Sequence, residues 1–384
     1  MPGPAVTARA PRAARETSRP ARRGVLLCIP TLWGGGAEAH ATLLATGLDR
    51  AGWEVTLATL SSGPNAARLE GTGVRLVVLP NRGPMDPRIV PRLAALIRRV
   101  RPAVVQSWMP MMNVVAGLAA GLTRTPFAGG ELSCGDVSLR GWKTRLEAAV
   151  LARYAGAMVA NSQGGASWVR ERLGARMPIA LVHSALPLEA VDAAAPRPRA
   201  PDGIADDAEL LLFVGRIAPE KNPAVLFEAL ARVAEARPRV VAVACGEGPE
   251  RAAWQEWVRR RGLEARILLP GFVNDVWSRM KSADVLVFPS LFEGHPTVVA
   301  EAMACGCPLV VSDIPAHREF LDERLALLVP VDDPATLADA VTQALDDRPA
   351  ARARAARARE LARRYDNAGM VAEYERVFLE LAGR

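Results

Sequence analysis

In this 384-residue chain, stretches of strand length alternate with stretches of helical period, and the alternation runs twice. Residues 24–30, 53–59, 74–79, 103–106, 157–160 and 179–182 read as strands in the first run, with helical patterns at 37–50 and 88–99. A proline-rich break without periodicity follows, and strands resume at 210–214, 240–244, 267–269, 285–288, 308–312 and 326–329. Strands alternating with helices require a parallel sheet covered on both faces. Two such runs give two doubly wound α/β domains, with a cleft where the carboxyl ends of their strands face one another. A chain of this length exceeds what one core usually supports, which agrees with the division.

The expected organisation is a leader at 1–23, a first domain at 24–190, a linker at 191–208, a second domain at 209–365 and a last helix at 366–384. Val371, Tyr374, Val377, Phe378 and Leu381 fall on one face of that helix, which therefore needs a surface to cover.

The net charge of +7 points to nucleic acid only if the charge is spread over a binding face. It is not: six arginines lie in residues 1–24 and seven in residues 348–364, leaving a mildly acidic body. Nucleic acid is thus not expected as a partner, and the two basic ends are the candidates for contact with an anionic membrane surface. No apolar run is long enough to span a bilayer, and the leader lacks the apolar stretch of a secretory signal. Cys28, Cys134, Cys245, Cys305 and Cys307 form no even framework, which favours a cytoplasmic setting, with peripheral contact at the inner face of a membrane.

Chemistry concentrates in the second run. In Phe213-Val-Gly-Arg-Ile-Ala-Pro-Glu-Lys-Asn-Pro223, Gly215 allows a bend after a strand, and Arg216 and Lys221 are a guanidinium and an ammonium within reach of a diphosphate. Gly246, in Cys245-Gly-Glu-Gly-Pro249, permits close backbone approach at the next strand end. The richest block runs Glu293-Gly-His-Pro-Thr-Val-Val-Ala-Glu301, with Thr297 expected as a helix N-cap and the amides of Val298 and Val299 facing the cleft. Glu293 and Glu301 can then both point at a ligand in the cleft, as hydrogen-bond acceptors of the kind sugar hydroxyls require. In the first run, Gly34, Gly35 and Gly36 follow the first strand, and Trp108 and Asn113, at a later strand end, are candidates for an acceptor pocket.

The Glu293-x7-Glu301 block, the segment Val-Gly-Arg-Ile-Ala-Pro-Glu-Lys-Asn222 and the early Gly-Gly-Gly-Ala-Glu38 resemble the retaining glycosyltransferases of family 4, of GT-B fold. The resemblance runs in order from residue 24 to about residue 330 and extends to the last helix, which in that family crosses back to the first domain. It implies transfer of a sugar from a nucleotide-sugar donor to a glycan or lipid-linked acceptor with retention of configuration, in cell-surface polysaccharide or glycolipid synthesis. Arg216 and Lys221 would hold the diphosphate and stabilise the leaving group, and Glu293 would bind the transferred sugar. The backbone from His295 through Pro296 and Thr297 to Val298 would meet sugar and phosphate, and Glu301 would hold the ribose. Phe272 and Val273 would contact the base, while Gly35 and Gly36 would close over the phosphates from the opposite domain. No cofactor and no metal is expected, since arginine, lysine and a helix terminus supply the positive charge.

The loop 129–136 departs from the family by offering Glu131 and Asp136, with Ser133 between them, where relatives place basic residues or histidine; Glu131 and Ser133 are counted with the acceptor candidates. Other readings are a GT-B sugar-nucleotide epimerase, a non-catalytic sugar-nucleotide-binding partner, and a dinucleotide oxidoreductase suggested by Gly34-x-Gly36. The last requires an acid at the end of the second strand, whereas Glu54 stands at its start.

Overall fold

A computed structural model describes residues 23–33, 35–83, 86–132, 141–174 and 177–383. The first domain is built on strands β1 (Gly24–Cys28), β2 (Glu54–Thr59), β3 (Arg75–Val78), β4 (Val104–Ser107), β5 (Phe127–Glu131), β6 (Ala157–Ala160) and β7 (Ile179–Leu181). Their order is β3-β2-β1-β4-β5-β6-β7, and every pairing is parallel. The second domain carries β8 (Glu209–Val214), β9 (Val240–Cys245), β10 (Ile267–Gly271), β11 (Val285–Phe288), β12 (Leu309–Ser312) and β13 (Leu327–Val329), in the order β10-β9-β8-β11-β12-β13. In both sheets the winding reverses beside the first strand of the run, β1 or β8, which puts a ligand crevice at the carboxyl ends.

The twelve other strands coincide closely with the expected runs, but β5 falls in a stretch expected as part of a loop. Its sequence Phe-Ala-Gly-Gly-Glu carries no apolar periodicity, and packing explains the glycines. A Cβ on Gly129 would lie 2.5 Å from the Met158 sulfur, and one on Gly130 would lie 2.3 Å from the Trp108 ring. The strand is thin because its neighbours on both faces are large.

The linker is not structureless either. A short helix, Leu188–Ala193, opens it, and the chain then runs along the second domain. There Arg197 donates to Asp202 and Asp275, and Arg199 to Asp284. Ionic pairing replaces the apolar pattern on which sequence periodicity depends.

The closing helix, Asn367–Ala382, crosses back onto the first domain as its amphipathic face demands. Met370, Val371, Tyr374, Val377, Phe378 and Leu381 join the core between β1 and the helix Gly36–Arg50. Gly47 admits this approach, because a Cβ there would lie 2.4 Å from Val371. The Tyr374 hydroxyl meets His40 Nε2 at 2.9 Å and accepts from Trp108 Nε1 at 3.2 Å. His40 is thereby a structural residue, and burial pushes its imidazole down to about 4.

Candidate functional site

Both domains present the loops that follow their strands to a common cleft. Across it, Gly36, which starts the first helix after β1, faces Thr297, which starts the helix after β11. A Cβ on Gly36 would lie 3.0 Å from Thr297 Oγ1. Further along, the Gln163 amide, after β6, donates to both oxygens of Glu319 at 2.9 Å, and His183, after β7, meets the same carboxylate at 2.9 Å. Next to this contact the two crossing segments run together, with the Leu186 amide donating to the Tyr365 carbonyl at 2.8 Å. The hinge therefore lies beside the cleft.

On the second domain the loop after β8 is shaped by Asn222, whose left-handed backbone (φ 56°) ends the turn Pro219–Lys221 and starts the helix Pro223–Ala236. Asparagine tolerates that conformation at small cost. The turn holds Lys221 against Glu293, pairing ammonium with carboxylate, and places the ammonium 5.1 Å from the Phe288 ring centre. The Leu291 amide donates to the Glu220 carbonyl at 2.9 Å, which ties the two charged loops together. Arg216 is bound by Glu220, with Nε donating at 3.0 Å. Both cations thus have carboxylate partners.

The glycines line the same rim. Gly215 and Gly246 follow β8 and β9, and a Cβ on Gly246 would fall 1.9 Å from the Gly215 carbonyl oxygen, while its φ of 144° is itself outside the range of other residues. Close packing of adjacent strand ends therefore already demands glycine here, before any ligand is considered. Phe272 is exposed immediately beyond β10, and Val273 is half-buried behind it.

In the Glu-x7-Glu block, Thr297 begins the helix Thr297–Cys305 but does not cap it. The cap position is Pro296, and the Thr297 amide is already committed to the His295 carbonyl at 2.8 Å. This corrects the N-cap expectation: the Gly-His-Pro bend, rather than a hydroxyl, sets the start of the helix. The His295 ring stacks on Phe320 with centroids 5.8 Å apart, beside His183 and Tyr365, so the bend rests on the hinge. Burial lowers its pKa to about 3, which keeps the ring neutral.

Glu301 lies one turn into that helix and accepts from Trp277 Nε1 at 3.1 Å. Burial pushes its carboxyl up to about 7, opposed by the Trp277 hydrogen bond and by Arg68 of the first domain. Neither Trp277 nor Arg68 was singled out from sequence, since a tryptophan on a short helix and an arginine in a turn carry no spacing signal. A group whose pKa rises on folding stabilises the protein below its unfolded value and loses that contribution as pH climbs through the folded one. Glu301→Gln is therefore expected to gain stability relative to the parent as pH rises from about 5 to about 7, measured by denaturant midpoints across that range. A flat difference would show that the carboxyl is well solvated.

The acceptor candidates fare differently. Trp108, Asn113 and Glu131 are all buried, at 0%, 1% and 3% exposure. Trp108 packs over Gly130 toward Tyr374, while Asn113 donates to Glu147 at 2.9 Å and to the Gly130 carbonyl at 3.1 Å. These are interior contacts that hold β4 to β5. Gly34, Ser133 and Asp136 lie outside the described residues. What the first domain does expose on loops following β1 and β4 is Trp33, at 63%, and Met109, at 37%. Met109 has a φ of 72°, a strained conformation for a side-chain-bearing residue, and such strain gathers at functional sites.

Residues 34–190 match the family model described as Glycosyltransferase Family 4, and residues 196–361 match the one described as Glycosyl transferases group 1. The chain has the GT-B fold, and each of its two domains matches a glycosyltransferase family model. Among solved structures, this GT-B chain superposes on Anabaena HepE in complex with UDP-glucose with a TM-score of 0.83 at 19% identity, over 93% of this chain and 99% of the other. The sucrose-phosphate synthase of Thermosynechococcus elongatus gives 0.78 at 20% identity, over 94% and 99%. Curated relatives match over shorter spans. The phosphatidyl-myo-inositol mannosyltransferase of Mycolicibacterium smegmatis is 36% identical over 188 residues, 47% of this chain and 48% of the relative. An N-acetylgalactosaminyltransferase of Campylobacter jejuni, whose name specifies a diphospho-undecaprenol acceptor, is 32% identical over 151 residues, 39% and 40%. The chain thus spans half the length or less of the curated relatives it matches here.

Proposed function

We propose that this GT-B chain transfers a sugar from a nucleotide-sugar donor to a lipid-linked or glycan acceptor, with retention of anomeric configuration. The observation that carries the reading is the convergence, on one rim of the second domain, of Lys221, Glu293, Arg216 and the start of the helix Thr297–Cys305, with Glu301 one turn further in. Positive groups fixed where a diphosphate departs stabilise the leaving group as the sugar gains oxocarbenium character. Glu293 would take the sugar hydroxyls once phosphate has drawn Lys221 away, and Glu301 the ribose. Two relatives named for lipid acceptors, and a neighbour solved with UDP-glucose, support the donor and acceptor classes. A role in cell-surface polysaccharide or glycolipid synthesis, at the cytoplasmic face of a membrane, follows from such acceptors.

The test is nucleoside diphosphate release from UDP-, GDP- and ADP-sugars, with and without acceptor lipid extract, followed by NMR assignment of the product anomer. Release that requires the lipid, with the donor's configuration kept, is the expected result; an inverted product would refute retention. Activity should survive EDTA unchanged, and a loss reversed by magnesium would show that a metal shares the work assigned to Arg216 and Lys221.

A further inference from the structure

Of the two basic ends expected to touch a membrane, the second lies among the described residues, and most of its arginines are engaged within the protein. In the segment 348–364, Arg348 is paired with Glu209 and Asp284, Arg359 and Arg363 with Asp192, and Arg354 and Arg357 donate to the carbonyls of Glu323 and Arg324. Those arginines mostly serve the protein itself, and residues 1–22 lie outside the described residues.

The helix Trp142–Tyr154 of the first domain has the opposite character. Glu147, Val150 and Leu151 are buried against the domain. Helical geometry places Trp142, Arg145, Leu146, Ala149 and Arg153 together on the other side. Trp142 is 62% exposed and Leu146 42%, an apolar pair at i, i+4 facing away from any core. Lys143, Arg145 and Arg153 make no ion pair among the described residues, and the one acid of the helix is Glu147, on the buried side and bound by Asn113. The apolar surface continues past the helix end: Tyr154 packs over Gly121, where a Cβ would lie 2.4 Å from its ring, and the adjoining Leu122 is 62% exposed. An exposed tryptophan and leucine flanked by cations that make no ion pair among the described residues, on a helix whose single acid is buried, form a surface that matches an anionic bilayer.

We propose that this helix lies in the interface of an anionic membrane and docks the chain there. As the crossover from β5 to β6 in a parallel sheet it runs antiparallel to the strands, so its Trp142 end sits at the carboxyl edge, beside the cleft. A docked chain would therefore hold its cleft at the lipid surface, where a lipid-linked acceptor resides. Binding to lipid needs neither donor nor turnover, so the docking surface and the transfer reaction stand or fall separately.

The test is flotation of the full chain with vesicles of phosphatidylcholine alone and of phosphatidylcholine mixed with phosphatidylglycerol, at low and high salt. The mixed vesicles are expected to bind the protein, less so at high salt, and the neutral ones to bind it weakly. Lys143→Ala with Arg145→Ala should lower the partition constant by about 30-fold. Trp142→Ala with Leu146→Ala should also release the protein, while the denaturant midpoint of each double variant stays near the parent's, because the four side chains are exposed. No binding to anionic vesicles, or equal binding by parent and both variants, overturns the proposal. A concentration-dependent dimer that the Trp142/Leu146 variant abolishes would overturn it too, by assigning the face to a second copy of the chain.

Discussion

Lys221→Ala is expected to slow sugar transfer by about 10²- to 10³-fold, the scale seen when one preorganised charge-stabilising donor is removed from an active site. The ammonium stands beside Glu293 and over the Phe288 ring, in a partly desolvated position where its attraction for a departing diphosphate is stronger than in bulk water. The loss should appear in kcat as well as in kcat/KM, because charge builds on the leaving group only as the bond breaks. A rise in KM with kcat unchanged would place Lys221 in ground-state binding alone. The variant should fold normally, since removing the ammonium leaves Glu293 reachable by water at the cleft.

Tyr374→Ala is expected to destabilise the protein by about 3–5 kcal/mol, the cost of deleting a large buried aromatic side chain. Tyr374 is fully buried where the closing helix crosses the first domain, and its hydroxyl joins His40 to Trp108. Its loss leaves a cavity and takes the shared partner from two buried nitrogens. Tyr374→Phe keeps the ring and should cost about 1–3 kcal/mol, the penalty of the unsatisfied groups. Chemical denaturation of both variants separates the two contributions. Because the helix binds the second domain's chain to the first domain, Tyr374→Ala should also loosen the cleft; a fall in donor affinity at temperatures where the variant is still folded would register that.

Strand and helix periods were readable wherever the pattern was apolar, and they gave both sheets and the cleft between them. They failed where something other than apolar periodicity holds the chain. Strand β5 carries glycines because Trp108, Met158 and Leu151 crowd it, and the linker is held by arginine–carboxylate pairs. The charged loops of the second domain were legible because Arg216, Lys221, Glu293 and Glu301 lie within short segments following strands. Trp277, which donates to Glu301 from a different helix, and Arg68, whose charge acts on it from the other domain, are placed there only by folding. Trp108 was ambiguous for a related reason: a tryptophan at a strand end looks alike whether it turns outward or, as Trp108 does, into the interior. The exposed Trp33 and the strained Met109 on neighbouring loops are better supported starting points.

The removal of the Trp277 hydrogen bond gives a finer check on the ribose side. Trp277→Phe should raise the Glu301 pKa further and move the pH midpoint of donor binding upward, with affinity increasing as pH rises and the carboxylate ionises. Calorimetric titration of donor across pH reads the shift directly.

The central claim is that the rim formed by Lys221, Glu293 and Glu301 binds the donor, and calorimetric titration of the purified chain with a panel of UDP-, GDP- and ADP-sugars tests it most directly. The account predicts that at least one nucleotide sugar binds at a single site, and that Lys221→Ala and Glu301→Ala each weaken that binding about tenfold or more. Failure of every nucleotide sugar to bind, or binding that neither substitution alters, would contradict it.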